Sequence, residues 1–176
     1  PYYGMLNDKT AYITLTSFTE NCSEDVARAL EELKEKHQAK SVILDLRSNP
    51  GGLLTEAINV ANIFLPKNKM IVSTKGRNYK EQKDYKSKKE AIDTEIPLAI
   101  LIDRGSASAS EIVSGVMQDF DRGVVIGKRS FGKGLVQTTK NVAFNNKVKM
   151  TTAKYYLPSG RCIQAIDYSG KYGDNP

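Results

Sequence analysis

Apolar and polar positions alternate with period two over residues 10–18, where Ala11, Ile13 and Leu15 interleave with Tyr12, Thr14 and Thr16. That alternation, with β-branched residues throughout, predicts a strand. Asn21 and Ser23 follow as possible N-caps, and Glu24 and Asp25 suit the positive end of a helix dipole. Val26, Leu30, Leu33 and His37 then fall at i, i+4, i+7 and i+11, one face of a helix expected to end near Lys40. The nearly continuous apolar run at 41–46 reads as a strand covered on both faces. After a tight turn at 47–52, Leu54, Ile58, Ala61 and Leu65 give the apolar stripe of a helix over 53–65, stopped by Pro66.

The remaining pattern predicts strands at 70–74 and 97–103, a helix over 108–120, and strands at 124–127, 135–141 and 147–156. Asn145 and Asn146 make a plausible hairpin turn between the last two. Strands alternating with helices imply an α/β fold, a mixed sheet with helices on its faces. Sites in such sheets form at the carboxyl ends of strands. Two of those ends carry glycine-rich turns, at 49–52 and 104–108.

Composition narrows the classes. At 176 residues, 40% hydrophobic and 26% charged, the chain has the profile of one globular domain rather than a disordered segment. No apolar run approaches the ~20 residues needed to cross a bilayer. Cys22, Cys162 and the single His37 are scattered without metal-ligand spacing, so neither a metal nor a cofactor is expected. Pairing of the two cysteines is left open. His37 sits near the expected end of its helix, where a histidine completes the C-terminus.

The net charge of +6 is concentrated between residues 66 and 90, where nine Lys or Arg face Glu81, Asp84 and Glu90. With Tyr79 and Tyr85 among the lysines, this segment resembles basic-plus-aromatic nucleic-acid binding stretches. No nucleic-acid motif accompanies it, and it reads as a solvated excursion at about 66–95 between two core elements. No nucleic-acid partner is expected.

Gly127 to Lys133 fits the opening of a phosphate-binding loop, GxxxxGK. The next position must be Ser or Thr and is Gly134, and the following residues are strand-like rather than helical. Nucleotide binding is therefore not expected, and Lys133 between two glycines needs another explanation.

The run Gly105-Ser106-Ala107-Ser108-Ala109-Ser110-Glu111-Ile112 joins a buried strand to a helix N-terminus. A serine there is presented with little crowding, beside free N–H groups that suit an anion. Ser108 and Glu111 equally fit a capping box, and Ser106 equally fits the cap. Spacing leaves the choice among three serines, and between cap and nucleophile, open.

From Tyr12 to Gln164 the chain resembles the catalytic core of the C-terminal processing peptidases (tail-specific proteases, serine peptidase family S41). The matching stretches are Leu44 to Leu53 (LDLRSNPGGL), Gly105 to Ile112 (GSASASEI), Ile126-Gly127, Ser130 to Gln137 (SFGKGLVQ) and Tyr156 to Arg161 (YLPSGR). The resemblance implies a crotonase-like core, with Ser108 as nucleophile, Lys133 as general base and Gln137 as the group that orients Lys133. A lysine base must be neutral, and burial favours the neutral form. Packing of Lys133 ahead of Leu135 and Val136 would supply that, and in a strand Gln137 would face the same side as Lys133.

An oxyanion hole is expected from the N–H groups of Ala109 and of Gly51 or Gly52. Asp45, Arg47 and Glu111 read as scaffold. The family implies acyl-enzyme cleavage of protein substrates with an apolar C-terminal tail, in a periplasmic or extracytoplasmic setting. Only about ten residues precede the first expected strand, so the chain is expected to be a single peptidase domain, 1–176, without the PDZ domain usual ahead of this core. The rival readings are a catalytically silent peptide-binding module on the same fold and, behind it, nucleic-acid binding through the basic patch. The oligomeric state is not legible in the sequence.

Overall fold

A computed structural model of the chain describes residues 1–77 and 82–165; Tyr79, Lys80 and Glu81 of the basic segment lie outside them. In chain order the elements are β1 (Tyr2–Met5), β2 (Thr10–Thr14), α1 (Cys22–Glu35), β3 (Ser41–Asp45), α2 (Leu54–Phe64), β4 (Met70–Gly76), β5 (Lys83–Lys86), β6 (Leu98–Ile102), α3 (Ala109–Asp119), β7 (Val124–Gly127), β8 (Leu135–Asn141) and β9 (Lys147–Tyr156). They build two sheets. The first runs β1-β2-β3-β6-β7, with β1 antiparallel and the other strands parallel. The second, β5-β4-β9-β8, is antiparallel throughout.

The expected mixed α/β architecture with flanking helices is present, with two differences. The strands divide between two sheets rather than forming one, and β1 and β5 were not expected. Both are short edge strands, and β5 (Lys-Asp-Tyr-Lys) carries no apolar face. Their backbones pair with a neighbour, which side-chain periodicity does not record.

The helices hold the core against the first sheet. α1 contributes Val26, Ala29, Leu30 and Leu33, and α3 contributes Ile112, Val113, Val116 and Met117, all essentially inaccessible. α2 packs against both and is buried nearly all round, with Ala57, Val60, Ala61 and Phe64 inaccessible and Glu56 and Asn62 covered as well. That is the signature of a central helix rather than a surface one.

α1 ends sooner than its apolar stripe implied. Gln38 adopts a left-handed φ of 59°, and the Ala39 N–H closes on Leu33 O at 3.0 Å. His37 therefore follows the helix and is exposed instead of extending the stripe.

Strands β3 and β6 are neighbours in register, Leu44 opposite Ile100 and Asp45 opposite Leu101. Their carboxyl ends release the two glycine-rich turns side by side, which brings residues 47–52 and 103–108 together.

Candidate active site

Where the chain passes from β6 into α3, Ser108 is the N-cap, with φ 54° and ψ −109°. A non-glycine residue in that region carries strain on the order of 1–3 kcal/mol. The same device, a strained serine on a sharp strand-to-helix turn, exposes the hydroxyl in nucleophile elbows.

The neighbouring serines are excluded by packing. Ser106 is inaccessible, donating to Leu46 O at 2.7 Å and accepting the Asp103 N–H at 2.9 Å. Ser110 is also inaccessible and donates to Asn49 O at 3.0 Å. Ser108 is partly exposed. Burial thus separates the three serines, and of them only Ser108 is open to solvent. Its capping role is also real, since it forms a capping box with Glu111.

Glu111 does more than cap. It is 5% exposed, and its carboxylate gathers three backbone donors from two segments. Oε2 accepts the N–H of Ser108 at 2.8 Å and the N–H of Lys133 at 2.8 Å, while Oε1 accepts the N–H of Gly132 at 2.6 Å. One carboxylate oxygen therefore bridges the backbones of Ser108 and Lys133, which lie 25 positions apart in the chain. The sequence signal for this residue, a glutamate at N3, pointed only to the cap.

The turn at 47–52 packs directly against Ser108. A Cβ on Gly51 would stand 2.7 Å from Ala107 O, 2.8 Å from Ser108 Cβ and 2.9 Å from Ala109 N. Gly51 also has φ +100°, so only glycine fits there. The turn is knotted in place by Asn49, which is fully buried. Asn49 donates to Leu15 O at 2.7 Å, accepts the Gly51 N–H at 2.9 Å, and through its backbone oxygen accepts the Ala107 N–H at 3.0 Å. Asp103 ties the same two turns on the outside, accepting the N–H groups of Ser48 and Gly105, each at 2.8 Å.

These bonds distinguish the expected oxyanion donors. The Gly51 N–H is taken by Asn49, whereas no hydrogen bond from the N–H of Gly52 or of Ala109 is formed among the described residues.

Lys133 and Gln137 stand differently from expectation. Lys133 precedes β8 and its side chain is exposed rather than packed ahead of Leu135 and Val136; Gln137 is exposed as well. The alternation that would put Gln137 on the same side as Lys133 belongs to a strand, and β8 begins only at Leu135, so Lys133 lies outside it. The structure therefore joins Ser108 to the backbone of Lys133, and leaves the lysine side chain open to solvent.

Beside this site lies a cavity of about 620 Å³, bordered by Glu111 and Gly132 and lined further by Ser114, Gly115, Leu157 and Cys162. On β3, Asp45 is nearly buried and is clamped by Arg47 (Nη2 to Oδ2, 2.5 Å) and by the Tyr12 hydroxyl (2.5 Å). Burial pushes its carboxyl up, but the hydrogen bonds from Arg47 and Tyr12 outweigh this and hold it below the usual value. Among the described residues no group of three or more His, Cys, Asp or Glu side chains is placed to hold a metal ion, and no helix is long and apolar enough to cross a membrane. Within the basic segment β4 and β5 pair antiparallel; Lys69, just before β4, lies over the Phe120 ring, and Lys75 of β4 over the Tyr156 ring.

Residues 9–170 match the model of Peptidase family S41. A carboxy-terminal-processing protease of Bartonella bacilliformis is 45% identical over 158 residues, spanning 88% of this chain and 36% of the relative. A probable CtpA-like serine protease of Staphylococcus aureus is 40% identical over 157 residues, 88% of this chain and 31% of the relative. Among solved structures, a photosystem II D1 C-terminal processing protease superposes with a TM-score of 0.80 at 33% identity, covering 88% of this chain and 39% of that one. This chain belongs to peptidase family S41. It spans about a third of the length of these curated relatives.

Proposed function

We propose that this chain is the catalytic domain of a serine endopeptidase that cleaves protein substrates near their C-termini, with Ser108 as nucleophile and Lys133 as general base. The observation that carries the reading is the shared Glu111 oxygen, which fixes the backbone of Lys133 beside a strained, accessible serine at a helix N-terminus. A residue that only capped a helix would need neither the strain nor the second segment.

The chemistry follows the usual acyl-transfer course. Ser108 Oγ attacks the scissile carbonyl carbon while its proton passes to Lys133 Nζ. The oxyanion of the tetrahedral intermediate is met by the N–H groups of Ala109 and Gly52, each such donor being worth roughly 2.7–4 kcal/mol in the transition state. Collapse breaks the C–N bond, the departing amine takes the proton from Lys133, and the acyl group stays on Ser108 until water, deprotonated by the same lysine, releases it. The lysine must be neutral to act, so a substrate chain laid over the exposed Lys133, with Gln137 accepting a hydrogen bond from it, completes the site. The partner class is a protein with an apolar C-terminal tail, met outside the cytoplasm, the setting that membership of the family implies.

Treatment with a fluorophosphonate, followed by peptide mass mapping, tests the assignment. An adduct on Ser108 that is lost in Lys133→Ala, with turnover of an unfolded protein lost in Ser108→Ala and Lys133→Ala, is the expected result. A fully active Lys133→Ala would overturn the dyad. Peptide affinity with no adduct and no turnover would make the chain a silent binding module, a reading favoured at present only by the solvent-open lysine.

A further inference from the structure

The Gly51–Gly52 peptide is gripped from behind by the segment that follows β2. The Phe18 N–H donates to Gly51 O at 3.0 Å, and the Ser17 hydroxyl donates to the same oxygen at 3.2 Å. One residue further on, the Leu53 N–H donates to Phe18 O at 2.8 Å. Together the backbone bonds form a parallel bridge between Phe18 and Gly52. In such a bridge the partner's two bonds go to the residues flanking Gly52, so the N–H and C=O of Gly52 itself face the other way. The trans peptide requires the same: with Gly51 C=O turned toward Ser17 and Phe18, the Gly52 N–H points opposite. The Gly51 α-carbon is packed against the Ser108 turn and the Gly52 α-carbon against Phe18, so the peptide lies between the two.

This peptide joins two glycines with φ of +100° and +149°, so side-chain sterics do little to prevent its plane from turning over. A flip would exchange the Gly52 N–H for the Gly51 carbonyl oxygen, replacing an oxyanion donor by a dipole of the wrong sign. We infer that Ser17 is a positioning residue for the oxyanion hole: its hydroxyl, with the Phe18 N–H, holds the Gly51 carbonyl back and so keeps the Gly52 N–H turned to the Ser108 side. Ser17 touches no reacting atom and acts only through this peptide. The inference rests on the serine-peptidase reading above.

The test compares Ser17→Ala and Ser17→Thr with the unsubstituted protein, using the full chain. Four quantities are read: kcat and KM on an unfolded protein substrate, affinity for a peptide aldehyde, and the thermal midpoint. The aldehyde forms a hemiacetal oxygen on Ser108 and so probes the hole directly. Loss of one neutral hydrogen bond to the peptide should lower kcat by roughly 3–10-fold, weaken the aldehyde by a similar factor and leave KM in place. Ser17→Thr, which keeps the hydroxyl, should restore both. Unchanged kcat and aldehyde affinity in Ser17→Ala, or a loss that threonine does not restore, overturns the inference. So does a kcat loss that comes with an equal loss of folded protein at the assay temperature. Fluorophosphonate labelling of the unsubstituted protein separates the two levels: a folded protein unlabelled at Ser108 refutes the peptidase reading itself, whereas labelling with an indifferent Ser17→Ala refutes only the role of Ser17.

Discussion

Replacing Glu111 by glutamine changes one oxygen into an NH2 group and almost nothing in volume. The carboxylate receives three N–H donors, two on Oε2 and one on Oε1, in a site that is 5% exposed. Glutamine keeps the two bonds to Ser108 and Lys133 only by turning its NH2 toward the Gly132 N–H, donor against donor. The variant thus loses the charge on two bonds, loses a third bond outright, and strands a buried donor. Hydrogen bonds to charged groups contribute about 1.5–3 kcal/mol, and a stranded donor costs about 1–3 kcal/mol. A net destabilisation of roughly 2–3 kcal/mol is expected, which for a chain of this size lowers Tm by roughly 4–12 °C. Because the same carboxylate sets Lys133 beside Ser108, the rate of fluorophosphonate labelling at Ser108 should fall by at least about tenfold at temperatures where the variant is folded. Thermal unfolding followed by circular dichroism, with labelling rates on the same samples, checks both. A midpoint within about 1 °C of the parent and an unchanged labelling rate would show that the three-way clasp does not organise the site.

Ser108→Gly should abolish turnover yet raise Tm by a few degrees, because glycine relieves the φ 54° strain and costs only a few tenths of a kcal/mol as a cap; a lower midpoint would mean the turn is unstrained. The Ser48 N–H above all, with the Gly105 N–H and against some burial, holds the Asp103 carboxyl below the ordinary aspartate value. A depressed folded-state pKa gives stability that is complete above the unfolded value of about 3.9 and is lost as pH falls through the folded value. Asp103→Asn should therefore be less stable than the parent at neutral pH, with the gap closing as pH falls below the unfolded value and through the folded one, and a gap that persists once the carboxyl is protonated would contradict this. Burial, with Glu56 beside it, pushes the Cys22 thiol up to about 12, whereas Cys162 is exposed. Iodoacetamide at pH 8 should modify Cys162 alone in the folded protein and both cysteines in denaturant, as mass spectrometry of the intact chain will show.

Much of this protein was legible in one dimension. Among the described residues the side-chain pattern located the three helices and seven of the nine strands, through one buried face in elements such as β2 and α1 and through a nearly continuous apolar run in β3. The turns at 49–52 and 104–108 declared themselves through their glycines, and the ordered set of short stretches from Leu44 to Arg161 was enough to place the chain beside the family it belongs to. What the linear pattern could not carry was anything set by contact between distant segments. Strands β1 and β5 exist through backbone pairing, which leaves no mark on side-chain order. Three serines within five positions are equivalent by spacing, and burial of Ser106 and Ser110 against the turn after β3 separates them. Glu111 read as a cap because its partners Gly132 and Lys133 reach it only once β7 has been laid beside β6. The Gly51 N–H read as available because its acceptor is the side chain of Asn49, held inward by Leu15 just after β2. Local chemistry follows from neighbours in sequence, and so the chain order determined the elements and the motif; which groups are free, strained or engaged depends on partners brought in by folding, and only the tertiary structure decided that.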